Sequence, residues 1–579
     1  MFSKVLVANR GEIAVRVMRA LEELGVASVA VYSEIDRDAL HPSRADEAYL
    51  VDSYLNAERL LEVVRESGAE AVHPGYGFLA ENAAFARACE AAGVVFIGPP
   101  ATAIEAMGSK TRARELMAAA GVPIVPGTTS PVPDLDAALA AAEEIGYPVA
   151  VKAAGGGGGK GFRVALGPDE LEGAFEGASR EGERFFSDPT VYLERYLPDP
   201  RHVEVQVLAD AHGSTIHLGE RDCSIQRRHQ KLIEEAPAPV VDEELRERIG
   251  RIATDAAEAV GYRGAGTIEG LFQDGEYFFL EMNTRVQVEH CVTEMVTGID
   301  IVREGIRIAA GEPLSVTQEQ VRLQGHAIEC RINAENAAKN FAPAPGRITT
   351  YTEPSGPGVR VDSGVTAGGE ITPHYDPMIA KLIVWDTDRE HATQRMIRAL
   401  GEYRIDGLTT LIPFHRALLA TEQWANAETC RDLLEDRDWL KGTAVPTAPA
   451  SEEPGEKLEQ DYTVEVSGRR FQVKVIGPPP TAGGHSNGTV TRTPPRRERS
   501  ASSGGSGGGG DALISPMQGT VLRVAVEQGA TVEAGALIAV VEAMKMENEI
   551  TAHKAGTIAE LPIAAGGAVA SGDTLAVIT

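Results

Sequence analysis

The chain has 579 residues, a hydrophobic fraction of 43% and a formal net charge of −29 at pH 7; at roughly 100–200 residues per domain that is a globular protein of about three to five domains. So acidic a balance excludes nucleic acid or an anionic membrane surface as the main partner, and no run approaches the ~20 apolar residues of a membrane span. The five cysteines (Cys89, Cys223, Cys291, Cys330, Cys430) include no CxxC pair, which argues against a disulfide framework or zinc site, and the absence of a secretory h-region at the start gives a cytoplasmic expectation.

From the first residue to about 440, short apolar runs alternate with helix-like stretches, the pattern of α/β architecture. Residues 4–8 predict a buried strand, 12–25 an amphipathic helix closed by a glycine, and 28–32 the next strand. The alternation continues through 71–73 and 94–98, so an open α/β domain is expected over residues 1–112. Further on, residues 150–154 are strand-like and run into a glycine stretch, 155–159, followed by Lys160-Gly161 and a strand at 162–164. Such a run between two strands can fold its N–H groups over phosphates as a lid; a flexible tip is the competing reading. It is not a Walker A loop, because Ala154 stands where the first glycine belongs and Gly161 where Ser/Thr belongs. Lys110 and Lys152 are candidate phosphate-binding cations. The cations of residues 221–231 suggest anion binding, against an ion-paired surface strand.

The richest stretch follows residues 265–269. Glu281, Asn283, Arg285, Gln287 and Glu289 recur at period two, and in an extended segment all five face one way, with Met282, Val286 and Val288 opposite. A three-residue loop, 274–276, predicts Glu269 directly opposite Glu281. Two carboxylates so placed repel unless a cation lies between them, and the oxygen pair suits Mg²⁺ bridging ATP phosphates. A two-residue Asp274-Gly275 loop predicts them on opposite faces.

Beyond the α/β region, residues 462–475 alternate at period two around Ser467-Gly468 and predict a β-hairpin, within a connecting segment 446–477. Residues 478–510 are rich in Pro, then Gly and Ser, and read as a linker with an r.m.s. reach of about 30 Å. The last domain, 511–579, repeats itself: Gly519-Thr520-Val521 returns as Gly556-Thr557-Ile558, and Gly529 and Gly535 return as Gly566 and Gly572. Two such halves predict a flattened β-sandwich with quasi-twofold symmetry. Between the halves lies Lys545, at an expected hairpin tip between the soft side chains of Met544 and Met546.

Ala543-Met544-Lys545-Met546, with Ser515-Pro516-Met517-Gln518-Gly519 as the opening strand, resembles the biotinyl (biotin carboxyl carrier) domain family. The resemblance makes Lys545 the biotin attachment site. Residues 1 to about 440 resemble the biotin carboxylase family of ATP-grasp enzymes, through Asn9-Arg10-Gly11-Glu12-Ile13-Ala14, His73-Pro74-Gly75-Tyr76-Gly77, Gly108-Ser109-Lys110, the glycine run, Arg201-His202-Val203-Glu204, residues 281–289 and Glu329-Cys330-Arg331-Ile332-Asn333-Ala334-Glu335. It implies an N-terminal pre-ATP-grasp open sheet (1–112), an ATP-grasp domain with a glycine-rich lid (113–315) and a C-terminal α+β domain (316–445), all α/β, followed by the all-β biotinyl sandwich.

Carried over by position, Lys110, Lys152, Gly156, Gly157, Gly158, Glu194, His202, His229 and Lys231 become ATP contacts. Glu269, Glu281 and Asn283 become metal ligands for Mg²⁺, with Mn²⁺ as the alternative. Arg285, Gln287 and Val288 hold bicarbonate, Glu289 is its general base, Arg331 stabilises the biotin enolate, and Lys231 and Arg285 join these two as catalytic groups. Phe162 and Cys291 depart from the expected methionine and proline without replacing a chemical group. The implied activity is ATP- and bicarbonate-dependent carboxylation of biotin on the chain's own C-terminal domain, in an acyl-CoA carboxylase of fatty acid biosynthesis. Carboxybiotin then goes to a separate carboxyltransferase (beta) subunit, with the 462–475 hairpin as a candidate docking element. A biotin protein ligase is the modifying partner and a homo-oligomer the expected assembly.

Overall fold

The computed structural model describes residues 1–154, 161–186, 188–227, 230–443, 458–466, 469–477, 512–515, 519–543, 546–564, 567–569 and 573–579. Strand β1 (Lys4–Val7), helix α1 (Gly11–Glu23), β2 (Ala27–Tyr32), β3 (Glu47–Leu50), β4 (Ala71–His73) and β5 (Val95–Phe96) build the first layer. All pairings are parallel, in the order β3-β2-β1-β4-β5. Val5 and Val7 face one apolar cluster with Ile13 and Val17 of α1, while Leu6 and Ala8 face another with Leu60 and Phe85. Burial on both faces accounts for the unbroken apolar run of β1. Strand β3 alternates intermediate and exposed residues and has no buried position, and the sequence did not mark it.

The next strands are β6 (Val149–Ala153), β7 (Phe162–Ala165) and β8 (Val191–Arg195), a small antiparallel sheet in the order β7-β6-β8. It packs with helices Leu135–Ile145 and Pro168–Phe186 around a core of its own. The large sheet holds β9 (Arg201–Ala209), β10 (Thr215–Arg227), β11 (Gln230–Ala236), β12 (Gly264–Gln273), β13 (Glu276–Asn283), β14 (His326–Asn333), β15 (Val359–Ser363) and β16 (Met378–Asp386). Its eight strands run β13-β12-β9-β10-β11-β14-β16-β15. The β11–β14 pairing carries it across the residue 315/316 boundary expected from the sequence. That continuity brings residues from both sides of the boundary onto one surface.

The β12–β13 turn corrects one expectation. Gln273 pairs with Glu276, so the loop is the two-residue Asp274-Gly275, both with positive φ (54° and 79°) as a tight hairpin turn requires. The register then slips by one between Glu269 and Gly270, and Glu269 still pairs with Glu281. A β-bulge at Leu280 thus restores the facing that the two-residue loop alone removes. Strand β13 ends at Asn283, and residues 284–289 form a bend and turn instead of the extended strand that their alternation predicts.

Strands β17 (Leu458–Val466) and β18 (Arg469–Gly477) pair in antiparallel register from Leu458↔Gly477 to Val466↔Arg469. The tail adds β19 (Ala512–Ile514), β20 (Gly519–Val524), β21 (Thr531–Val532), β22 (Leu537–Ala543), β23 (Met546–Thr551), β24 (Gly556–Glu560), β25 (Ala568–Val569) and β26 (Thr574–Ile578). Its two four-stranded sheets run β19-β26-β24-β21 and β23-β22-β20-β25. The starts of β20, β21 and β22 precede those of β24, β25 and β26 by 37 residues each, by subtraction. The second sheet is therefore the image of the first under that repeat. Ile538, Val541, Ile558, Leu575 and Ile578 fill the space between them. Among the described residues, no helix is long and apolar enough to cross a membrane.

Candidate active site

The site is assembled where β9, β10, β11, β12 and β14 offer inward-pointing charge to the turn that follows β13. Glu289 is buried, and its two oxygens are held from opposite sides. Lys231 Nζ donates to Oε1 at 2.6 Å and Arg331 Nη2 to Oε2 at 3.0 Å. Burial alone raises a carboxyl pKa, but these two cations override it and hold Glu289 well below the usual carboxylate range. Lys231 also donates to Glu204 at 2.5 Å and Glu269 at 2.9 Å. Three carboxylates around one ammonium offset its burial and push its pKa well above the ordinary lysine value.

Glu269 accepts further from Gln287 Nε2 at 2.7 Å and lies 3.1 Å from His202 Nε2. Burial disfavours a charged imidazole, yet Glu269 outweighs it and His202 is raised to about 9. Asn283 Oδ1 accepts from Arg285 Nη2 at 2.7 Å, while Asn283 Nδ2 is buried with no hydrogen-bond partner among the described residues. Arg285 is anchored by Glu81 at 2.9 Å. Lys152 donates to Glu194, which also accepts from Arg114 at 3.2 Å. The structure thus brings together Lys231, Glu269, Gln287, Glu289, Arg331 and His202 in one network, with Asn283 and Arg285 beside it and Lys152 and Glu194 paired on the smaller sheet. Although residues 284–289 are not extended, Val286 still packs into the first domain's core while Gln287 and Glu289 point to the site. Lys110 opens the helix Lys110–Ala119. Gly156, Gly157, Gly158, His229 and Lys545 lie outside the described residues.

Arg221, expected among the anion-binding cations of residues 221–231, takes the ion-paired alternative, and Lys381 and Glu234 were not named from sequence. Arg221 is wholly buried and spreads its guanidinium over Glu204 (2.6 Å), Gln206 (2.8 Å), Thr293 (3.0 Å), Thr267 (3.1 Å) and Gln287 (2.6 Å). One arm of the cation-rich strand is therefore a brace inside the sheet. Lys381, also fully buried, donates to the Val288 carbonyl at 2.9 Å, and Glu234 accepts from Arg331 Nε at 2.6 Å. No short-range motif marks these, since their partners lie tens of residues away. Of the two departures, Phe162 lies with Lys152 Nζ 5.5 Å from its ring centroid, a cation–π contact. Cys291 sits in the first turn of α2 (His290–Thr297) and donates to Asp362 at 3.2 Å.

An open parallel sheet, a small antiparallel sheet and a large antiparallel sheet with a buried cluster of paired charges define the ATP-grasp fold, carrying a biotinyl-type sandwich. The chain matches the family "Biotin carboxylase, N-terminal domain" over residues 1–104, "Carbamoyl-phosphate synthase L chain, ATP binding domain" over 109–317, "Biotin carboxylase C-terminal domain" over 329–436 and "Biotin-requiring enzyme" over 511–578. It is 54% identical to biotin carboxylase 1 of Bacillus subtilis over 446 residues, 76% of this chain and 99% of that one. It is 46% identical to the biotin-dependent acyl-coenzyme A carboxylase alpha3 subunit of Mycobacterium leprae over 594 residues, covering 100% of this chain and 98% of that one. Among solved structures it resembles the biotin carboxylase domain dimer of Hydrogenobacter thermophilus 2-oxoglutarate carboxylase, in complex with MgADP, ADP and bicarbonate. The TM-score is 0.72 and the identity 50%, over 76% of this chain and 99% of that one. The chain belongs to the biotin carboxylase family, with a biotin-lipoyl domain at its C-terminal end.

Proposed function

We propose that this chain is the ATP-using, biotin-carrying alpha subunit of an acyl-CoA carboxylase, and that it carboxylates biotin held on Lys545 for a separate carboxyltransferase. The observation that carries the catalytic half is Glu289 clamped between Lys231 and Arg331. A buried carboxylate kept ionised by two cations, beside Arg285 and Gln287, can take the proton of bicarbonate as the latter attacks the γ-phosphate of ATP. Clamped this tightly, Glu289 is a weak base. Its basicity rises when Lys231 turns from it toward the incoming anions, which ties proton removal to substrate binding. Arg331 is left to face the ureido oxygen, where negative charge develops as biotin loses its own proton.

The oxygen donors Glu269 and Glu281, paired directly across two strands, with Asn283 two residues further along, fit a hard divalent cation. Such an ion would neutralise charge on the nucleotide phosphates. Lys110, Lys152, Glu194, His202, His229 and the lid glycines are the proposed ATP contacts, and Val288 shares the bicarbonate with Arg285 and Gln287. The acyl-CoA assignment is supported by the end-to-end match to the mycobacterial alpha3 protein. The alternative is pyruvate as acceptor, since the chain is also 50% identical to the biotin carboxylase subunit of pyruvate carboxylase, over 76% of this chain. Purified chain, given a carboxyltransferase, ATP, Mg²⁺ and bicarbonate, is expected to carboxylate acetyl- or propionyl-CoA. Carboxylation of pyruvate alone would exclude the acyl-CoA assignment. Deleting residues 458–477 tests the hairpin: loss of co-purification with the carboxyltransferase is expected, and unchanged co-purification rejects its docking role.

A further inference from the structure

Behind Arg331 lies a carboxyl pair that this chemistry leaves unused. Glu234 on β11 and Glu329 on β14 are direct cross-strand partners, and both are fully buried at 0% exposure. Like charges so placed repel strongly in a medium that cannot screen them. Glu234 Oε1 accepts from Arg331 Nε at 2.6 Å. Among the described residues, Glu234 Oε2 and both oxygens of Glu329 have no hydrogen-bond partner. The other charged or titratable groups facing the pair are Glu289 before α2, Lys231 on β11, Lys381 on β16, Arg331 and Cys330 on β14, Cys223 on β10 and Cys291 in α2. Lys381 is engaged by the Val288 carbonyl and by Glu12 at 3.3 Å, Lys231 by three carboxylates. Arg331 divides itself between Glu234 and Glu289. Among the described residues, no cation remains for Glu329.

We propose that Glu234 and Glu329 share one proton at neutral pH, resident on Glu329, and that the pair positions Arg331. Ionised Glu234 fixes the guanidinium through Nε. Neutral Glu329 keeps a second negative charge from drawing Arg331 away from Glu289. The proton is taken from solvent when the chain folds and is not consumed in turnover. Burial and the mutual repulsion of Glu234, Glu289 and Glu329 act in the same direction and push Glu329 well above the carboxylate range, while Arg331, hydrogen-bonded to Glu234, holds Glu234 the lower of the two. The positioning role rests on Arg331 facing the carboxylation centre; the shared proton does not.

The test is infrared spectroscopy of the full-length chain at neutral pH, paired with carboxylation of free biotin. A component of the deuterium-sensitive carboxylic C=O absorption is expected in the wild type and lost in Glu329→Gln, which mimics the neutral acid and keeps near-wild-type turnover. Glu234→Gln is expected to lower kcat roughly 10- to 100-fold, the range for groups that orient a catalytic neighbour, with the KM for ATP unchanged and Glu234→Asp recovering part of the loss. Identical bands in wild type and Glu329→Gln overturn the shared proton, and Glu329→Gln as damaging as Glu234→Gln overturns the division of roles. Should Glu234→Gln fail to fold, the wild-type and Glu329→Gln spectra decide alone. A chain showing the band but no biotin carboxylation would fail the functional reading and leave the proton pair standing.

Discussion

The carboxylase body and the C-terminal sandwich solve opposite problems. Around Glu289 the body packs buried Glu204, Glu269 and Arg331 with the partly buried Lys231 and satisfies these charges against one another from four strands and a turn. Among its described residues the sandwich buries Ser515 and otherwise only aliphatic side chains, and it repeats one strand pattern twice to frame a single hairpin, closed where Ala543 pairs with Met546. A reacting centre needs charges fixed by many distant partners. A carrier needs only a stiff frame for one lysine. The two should therefore fail differently.

The widest separation is expected from Lys545→Ala. It should abolish labelling of the protein by bicarbonate while leaving the body able to carboxylate free biotin, measured by biotin-dependent ATP hydrolysis. Loss of both activities would break the division of labour. Next, Glu289→Gln should lower free-biotin carboxylation by roughly 10²–10⁴-fold, the usual contribution of a general base, with biotinylation of Lys545 by its ligase unchanged in a streptavidin blot. Third, Arg331→Met leaves Glu234 and Glu289 without their shared cation; removing one partner of a buried ion pair costs about 3–5 kcal/mol, read as a lower melting temperature for the body and an unmoved one for the sandwich.

Acid should separate the regions in the same sense. The folded pKa of Glu289 is depressed from its ordinary 4.5 to about 2, so its stabilisation is fully present above about 4.5 and lost as pH falls toward 2. Melting curves of the body should fall through that window, while the aliphatic core of the sandwich gives it no such dependence. The smallest effect is expected from Cys291→Pro. Position 291 lies in the first turn of α2, where proline is tolerated, and the lost contact to Asp362 leaves that carboxylate with Arg360 at 2.7 Å. A stability change of about 1 kcal/mol or less is expected.

The same contrast governs how much the sequence revealed. The sandwich was legible because its information is local and said twice: glycines and strands recur at one spacing, and the lysine falls between the halves. In the body, the parallel sheet was legible from its apolar runs, but the site only in part. The Glu269–Glu281 pairing was anticipated through a three-residue loop that does not exist, and a bulge at Leu280, invisible to a count of alternation, restored it. Arg221 entered only among the cations of residues 221–231 expected to bind an anion, and Lys381 and Glu234 were not singled out. Each meets its partners only when other strands and the 284–289 turn are brought beside it, at separations such as 97 residues for Glu234 and Arg331. Alternation tells which way a side chain points, not which strand will lie beside it.

The most direct test of the whole account is a single labelling experiment. Biotinylated full-length chain is incubated with ATP, Mg²⁺ and isotope-labelled bicarbonate, and the peptide bearing Lys545 is assayed for acid-labile label in wild type and in Glu289→Gln. Label on the wild-type peptide that is absent from Glu289→Gln is the predicted result. A biotinylated Lys545 that never acquires label, or acquires it equally in Glu289→Gln, would contradict the assignment of Glu289 and its cation clamp as the centre that charges the carrier.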